Sequence, residues 1–160
     1  MASGPCTMGN FTFGNERHQY YETVSGGSGA GHGFDGTAVV QTHMTNSRLT
    51  DPEVLEARFP VRLESYTIRS GSGGAGRWRG GDGDGGVRRV RFLESMTASI
   101  LSNGRVHPAF GMAGGSPGAL GVNRVIWPDG REEPLKGNDQ RDLPEGAVFE
   151  MLTPGGGGWG

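Results

Sequence analysis

Apolar and polar residues alternate with a period of two along much of the chain, and this predicts strands. Between Val87 and Leu93, Val90 and Phe92 point one way while Arg89 and Arg91 point the other, so one face is buried and one is wet. Met96–Leu101 is apolar on both sides and reads as a central strand, and Ala147–Leu152 puts Ala147, Phe149 and Met151 on one face. Gly121–Trp127 leads into Pro128-Asp129-Gly130. Proline presets φ there and glycine accepts a positive φ, so a hairpin is expected. Tyr20–Ser25 is a further candidate strand, in which Tyr20-Tyr21-Glu22 either turns one aromatic inward or lines a pocket. One helix start stands out. Thr50-Asp51-Pro52-Glu53 has the capping-box form, with a threonine hydroxyl placed to accept the third amide and a glutamate placed to reach back. That helix is expected over 51–58, ending before Pro60, because proline disfavours the α conformation in its predecessor. The predicted class is mainly β, a β-rich α+β fold, with long glycine-rich loops and one short helix near 51–58.

Composition adds glycine as the anomaly, with 32 glycines and 9 prolines among 160 residues. They gather in four clusters, at Ser25–Gly36, Gly71–Gly86, Gly111–Gly121 and Thr153–Gly160. A spacing of roughly 40 residues matches a propeller blade, but the segments between the clusters share no pattern, so a repeat fails. Glycine and proline at this level border low-complexity composition. The strand patterning between clusters argues for a folded, loop-rich single domain instead. A net charge of −2 gives no global pull toward nucleic acid or anionic membrane. The single cysteine, Cys6, excludes an internal disulfide framework and a Cys-rich zinc site, and fits a reducing, cytoplasmic compartment. No apolar run approaches the roughly 20 residues of a membrane span, and MASGPCTMGN lacks the basic and apolar regions of a leader.

Candidate chemistry is sparse. GHGFDG fits the dinucleotide pattern G-x-G-x-x-G, with Asp51 or Glu53 at about the right distance downstream. The pattern also needs a helix whose first amides face the pyrophosphate, and TAVVQTHMTN is too rich in β-branched and cap-type residues to supply one. Tight turning or close backbone passage explains these glycines better. Lys136 is the only lysine, and its PLKGN context lacks the spacing of a phosphate-binding loop. In QTHMTN, His43 has Asn46 close by and Asp35 upstream, which suits a general base, a metal ligand or a hydrogen-bonded structural histidine. His18, His32 and His107 are scattered, so spacing specifies no metal site. Arg77, Arg79, Arg88, Arg89 and Arg91 surround Trp78 and could hold a phosphate or stack on a base. Asp82 and Asp84 interleave with them, which favours a solvated face or a subunit interface.

Longer motifs say more. GNERHQYYETVSGGSGAGHGFDGTAVVQTHMTNSRLTDPEVLEARFPV, then GSGGAGRWRGGDG, MAGGSPGALG and TPGGGGWG, closely resemble the hydantoinase B/5-oxoprolinase family, in order and over nearly the whole chain. The passage GGDGDGGVRRVRF is a few residues longer than the family's usual one. The resemblance implies part of an ATP-dependent hydrolase that opens cyclic amides such as 5-oxoproline or hydantoins. Relatives in the same broad family carboxylate acetone or acetophenone. B-type subunits run to several hundred residues, so the chain is expected to be their C-terminal portion, a fragment, a truncated frame or one piece of a split subunit. The implied partners are an actin-like A-type ATPase, the remaining N-terminal B-type part, a small cyclic amide and further subunits of an oligomer, with no nucleic acid or membrane. ATP and a divalent metal are implied for the full enzyme, bound outside this segment, with no metal ligand within it. His43, Asp35 and Asn46 are the expected catalytic group. Tyr21, Glu22, Gly29, Gly31 and Thr45 are the expected pocket lining, and Arg77 and Arg79 a phosphate contact or interface. A non-catalytic β-rich assembly module is the alternative.

Overall fold

A computed structural model describes residues 1–4, 9–42, 45, 47–79 and 83–160. Among them the elements run β1 (Gly9–Gly14), β2 (Gln19–Thr23), α1 (Pro52–Arg58), β3 (Val61–Ile68), β4 (Gly86–Phe92), β5 (Met96–Ser102), β6 (Val122–Ile126), β7 (Glu132–Leu135), β8 (Asn138–Leu143) and β9 (Val148–Leu152). Two antiparallel sheets result, one ordered β2-β1-β5-β8 and the other β3-β4-β9-β6-β7. The mainly β class with one short helix is the one expected.

Period-two patterning brings the sheets together. Phe11, Phe13, Met96, Ala98 and Ile100 from the first sheet and Val90, Phe92, Val125, Phe149 and Met151 from the second form one buried core. Phe11 meets Phe149 at 4.9 Å between ring centroids, and Phe13 meets Phe92 edge-on at 5.5 Å. These contacts fix the sandwich. β5 is central, as expected, but only one of its faces enters the core, because Thr97 and Ser99 point outward beside an exposed Leu101. The hairpin after β6 closes as expected, with Gly130 at φ +85 and its N–H donated to the Trp127 carbonyl at 2.9 Å.

The helix start is displaced by one residue from expectation. Asp51 is the cap, its Oδ1 accepting from Glu53 N at 2.9 Å and Val54 N at 3.4 Å. Thr50 is not free to cap, because its amide donates to Glu22 Oε1 at 2.8 Å and its hydroxyl lies 3.0 Å from that of Tyr20. Phe59 is extended, at φ −132 and ψ 145, as the residue before Pro60 should be.

The first three glycine clusters converge on the fourth, the segment 153–160, which is buried through Gly158. Its amides donate in turn to Ala119 (from Gly155), Gly83 (Gly156), Ser3 (Gly157) and Ser116 (Gly158), at 2.9 to 3.3 Å. Gly155 and Gly158, three residues apart, thus reach the same neighbouring segment. A three-residue period belongs to a polyproline-II-like strand, which can be surrounded on three sides, whereas a β-strand pairs on two. Such packing leaves no room for side chains. A Cβ at Gly156 would stand 2.0 Å from the Ser28 carbonyl oxygen.

Candidate functional site

The end of the sandwich where β2 faces β4 holds a buried charge pair. Arg88 shares its strand face with Val90 and Phe92, so the pleat turns it inward, where it is fully buried. Its Nη1 donates to Glu22 Oε2, and Glu22 is itself only 6% exposed. The same carboxylate accepts from the Thr50 amide and from the Tyr20 hydroxyl at 2.7 Å. The Tyr66 hydroxyl lies 3.5 Å from Ser25 Oγ beside this pair. Burial raises both tyrosine hydroxyls above their ordinary pKa, so they stay protonated donors at neutral pH. Arg88 Nε and Nη2 have no hydrogen-bond partner among the described residues. Because Glu22 already balances the charge, this free edge of the guanidinium suits a neutral oxygen such as a carbonyl or a water.

The cluster anchors the chain on both sides of the His43 region. Gln41 Nε2 donates to the Thr23 carbonyl at 2.6 Å, and Thr50 is held by Glu22, so adjacent residues of β2 fix residues 41 and 50. His43 and Asn46 lie outside the described residues. Thr45, between them, donates from Oγ1 to the Thr42 carbonyl at 3.1 Å. Tyr21 does not join Glu22. It faces the opposite side of the sheet, 62% exposed, with its hydroxyl 3.1 Å from Asn10 Oδ1.

Most other sequence candidates gather elsewhere, around Trp78. Asp35 Oδ1 accepts from the Arg79 amide at 2.6 Å, the Arg77 amide donates to the Gly160 carbonyl at 2.6 Å, and the Arg77 guanidinium lies 4.9 Å from the Trp78 ring centroid. His32 packs on the same indole at 4.7 Å. Gly31 lies flat beneath the Phe34 ring, and Gly29 abuts the Ala2 carbonyl. This rim is exposed and cationic, and its one described carboxylate, Asp35, is engaged with backbone.

The arginine run is therefore not one surface. Arg88 is core, Arg89 pairs with Glu150, and Arg91 pairs with Glu64. Asp84 does not screen these arginines. It is buried, and its carboxylate accepts from the amides of Gly71 at 3.0 Å and Gly73 at 2.7 Å, so it holds the second glycine loop. Sequence reasoning missed Arg88, Tyr66, Ser25 and Asp84 as site or scaffold residues. The signal for Arg88 was present, since it has the same parity as Val90 and Phe92.

A separate cleft of about 330 Å³ opens where Ser3 and Gly4 meet the 102–109 loop, and none of the described residues lining it carries a carboxylate. Burial and then the nearby Arg69 lower the Arg105 pKa to about 10. Arg105 remains a cation at neutral pH. It donates inward to Asn103 O and Asn123 Oδ1, both at 2.7 Å. Among the described residues no three His, Cys, Asp or Glu side chains come together as a metal-ligand set. No helix among them is long and apolar enough to cross a membrane.

A family model described as hydantoinase B/oxoprolinase matches residues 1–160. The chain is 46% identical to 5-oxoprolinase 1 of Arabidopsis thaliana and 42% identical to a 5-oxoprolinase of Dictyostelium discoideum, each over 96% of this chain and 12% of the relative. Its structure superimposes on an ATP-dependent caprolactamase from Pseudomonas jessenii with a TM-score of 0.84 and 26% identity, over 99% of this chain and 30% of that one.

Proposed function

Because the chain belongs to the hydantoinase B/oxoprolinase family, we propose that it forms part of an ATP-dependent enzyme that opens a cyclic amide such as 5-oxoproline or a hydantoin. The observation that carries this reading is 46% identity to a 5-oxoprolinase over 96% of the chain. Likeness to an ATP-dependent caprolactamase supports a lactam as the substrate class.

A ring amide is a poor electrophile. Phosphoryl transfer from ATP to its oxygen installs a leaving group, water adds at that carbon, the ring C–N bond breaks as the nitrogen takes up a proton, and the acyl phosphate so formed is cleaved by a second water to carboxylate and phosphate. Cyclic amide, ATP and two waters thus become the open amino acid, ADP and phosphate. ATP and a divalent ion are assigned to the actin-like A-type partner and to B-type sequence outside this segment. Within this segment, the Glu22–Arg88 cluster would hold one wall of the pocket and fix both ends of the 41–50 segment. His43 would move the proton, oriented with Asp35 and Asn46. Gly29, Gly31 and Thr45 would line the approach, with Tyr21 left out of it on the opposite face of β2, while Arg77 and Arg79 would meet a phosphate or the partner.

The test combines the chain with an A-type subunit and the remaining B-type sequence, supplies ATP with 5-oxoproline or a hydantoin, and measures ADP and ring-opened product. Turnover should require all the components. Soluble proteins that give none refute the reading. A product that has gained carbon from bicarbonate instead of water points to carboxylation. His43→Ala should lower turnover roughly 10²-fold if His43 is an acid or base, whereas an unchanged rate sinks that role.

A further inference from the structure

The outer faces of the two sheets differ in a way the proposed chemistry does not use. Across the five-stranded sheet, Arg89, Glu150, Arg124 and Glu132 on β4, β9, β6 and β7 form a continuous paired ladder, and Arg91 pairs with Glu64 on β3. That face is charged and paired within itself, with Glu150 covered by its two arginines and the arginines reaching solvent. The four-stranded sheet presents three outward positions on each of its strands, and among them Asp142 alone is charged. Thr12, Tyr21, Thr23, Thr97, Ser99 and Leu101 form its centre, in a chain that is 20% charged overall. Tyr21 is 62% exposed and Leu101 45%.

The face also has relief. Gly14 leaves it without a side chain at one point, and a Cβ there would stand 2.4 Å from the His18 carbonyl oxygen. A hollow of about 610 Å³ lies beside it, bordered by Thr12, Gln19, Tyr21 and Thr97. Depletion of charge with a protruding aromatic is the mark of the centre of a protein interface, and the scarcity of charge suits a permanent contact more than a transient one. In the relatives this segment is 12% of the 5-oxoprolinase chains and 30% of the caprolactamase chain, so most of the same polypeptide is tethered beside it at high effective concentration.

We propose that this sheet face, with Asp142 its one charge, is the docking surface for the rest of a B-type chain, which covers Tyr21 and seats a side chain in the hollow over Gly14. The inference rests on family membership and not on the ring-opening chemistry. It is tested by grafting this chain into the Arabidopsis 5-oxoprolinase in place of its matching segment, and comparing hydroxyl-radical labelling of graft and isolated chain. In the graft, labelling of Tyr21 and Leu101 should fall about fivefold or more, while Val122 on the charged side changes less than about twofold. Equal labelling of Tyr21 in both overturns the proposal. So does protection of Tyr21 in the isolated chain by self-association, read as a dimer in light scattering. Ring opening is assayed on the same graft. An inactive graft with Tyr21 protected leaves the interface standing and removes support for the activity, and an active graft with Tyr21 labelled does the reverse. If the graft does not fold, the chain is mixed with the separately expressed remainder and Ser99→Arg is compared with Thr67→Arg. Loss of binding confined to Ser99→Arg supports the interface, and equal effects or no binding overturn it.

Discussion

Removing either member of the Glu22–Arg88 pair should be among the most damaging single changes in the sandwich. The Arg88 side chain is 0% exposed and that of Glu22 is 5% exposed, so neither lone charge can be rescued by water. Glu22→Gln keeps the shape but leaves the guanidinium uncompensated, and Arg88→Met leaves the carboxylate so. Each should cost about 3–5 kcal/mol, the usual loss when one partner of a buried pair is removed. Glu22→Leu should cost more, since the Thr50 amide and Tyr20 hydroxyl also lose their acceptor, at about 1 kcal/mol each. The double variant Glu22→Leu/Arg88→Met removes both charges and the unpartnered Arg88 Nε and Nη2 together. It should be no less stable than Glu22→Leu alone, giving a coupling energy of roughly 3 kcal/mol in the cycle. Urea unfolding at pH 7 checks this. With a slope of about 1–3 kcal/mol per molar, a loss of about 3–5 kcal/mol moves the midpoint by roughly 1–5 M. Singles that each cost under about 1 kcal/mol and add in the double variant would refute a buried, coupled pair.

The glycine layer should separate two kinds of glycine. Gly156→Ala, whose Cβ would meet the Ser28 carbonyl at 2.0 Å, should cost about 3 kcal/mol or more, while Gly33→Ala, at φ +87 with open space, should cost about 1 kcal/mol, both read by thermal unfolding. Asp51→Ala should lose about 1 kcal/mol of helix stability by the same measurement, and Thr50→Ala should leave the cap itself intact. Burial alone would raise the Glu150 pKa, but hydrogen bonds and charge from Arg124 and Arg89 outweigh it and hold the carboxyl below 4.5. A lowered folded value contributes stability above pH 4.5 that is lost as pH falls through the folded value, so Glu150→Gln should be less stable at neutral pH and lose less of that stability on acidification. Parallel acid-unfolding curves for the two proteins would contradict it.

Strand existence was legible because parity is a local signal. Val90 and Phe92, and Phe149 with Met151, declared their faces from spacing alone, whereas Met96–Leu101 declared a strand but not which face it buries. The helix was legible to within one residue, and the error is physical. Thr50 had the right chemistry for a cap, but groups distant in sequence claim both its ends, Tyr20 its hydroxyl and Glu22 its amide. The site was much less legible. Arg88 carries the inward parity of its strand, yet charge suggested a solvated arginine, and what reverses that is a partner 66 residues away. Asp35, Arg77 and Arg79 do come together around Trp78, but through backbone contacts that residue type does not announce.

Glycine shows why a letter pattern misleads where a packing pattern does not. A phosphate-binding loop needs glycines whose amides point at a ligand from the start of a helix. Here the amides of Gly27 and Ala30 point at the carbonyls of Pro154 and Gly157, and no helix appears among the described residues between Gly36 and Pro52. The Ser25–Gly36 cluster is thus one wall around a buried strand supplied by the end of the chain, with the second and third clusters as its other walls. Each wall needs glycine because a strand with a three-residue period has neighbours on three sides and no outward direction for a Cβ. Four clusters some 40 residues apart are then the sequence signature of one layer that the chain visits four times, and their spacing measures the strands between visits rather than a repeated unit. The chemistry-bearing residues sit where that layer meets the sandwich. Gly86, which ends the second cluster, opens the strand that carries Arg88, and Ser25, which begins the first, follows the strand that carries Glu22.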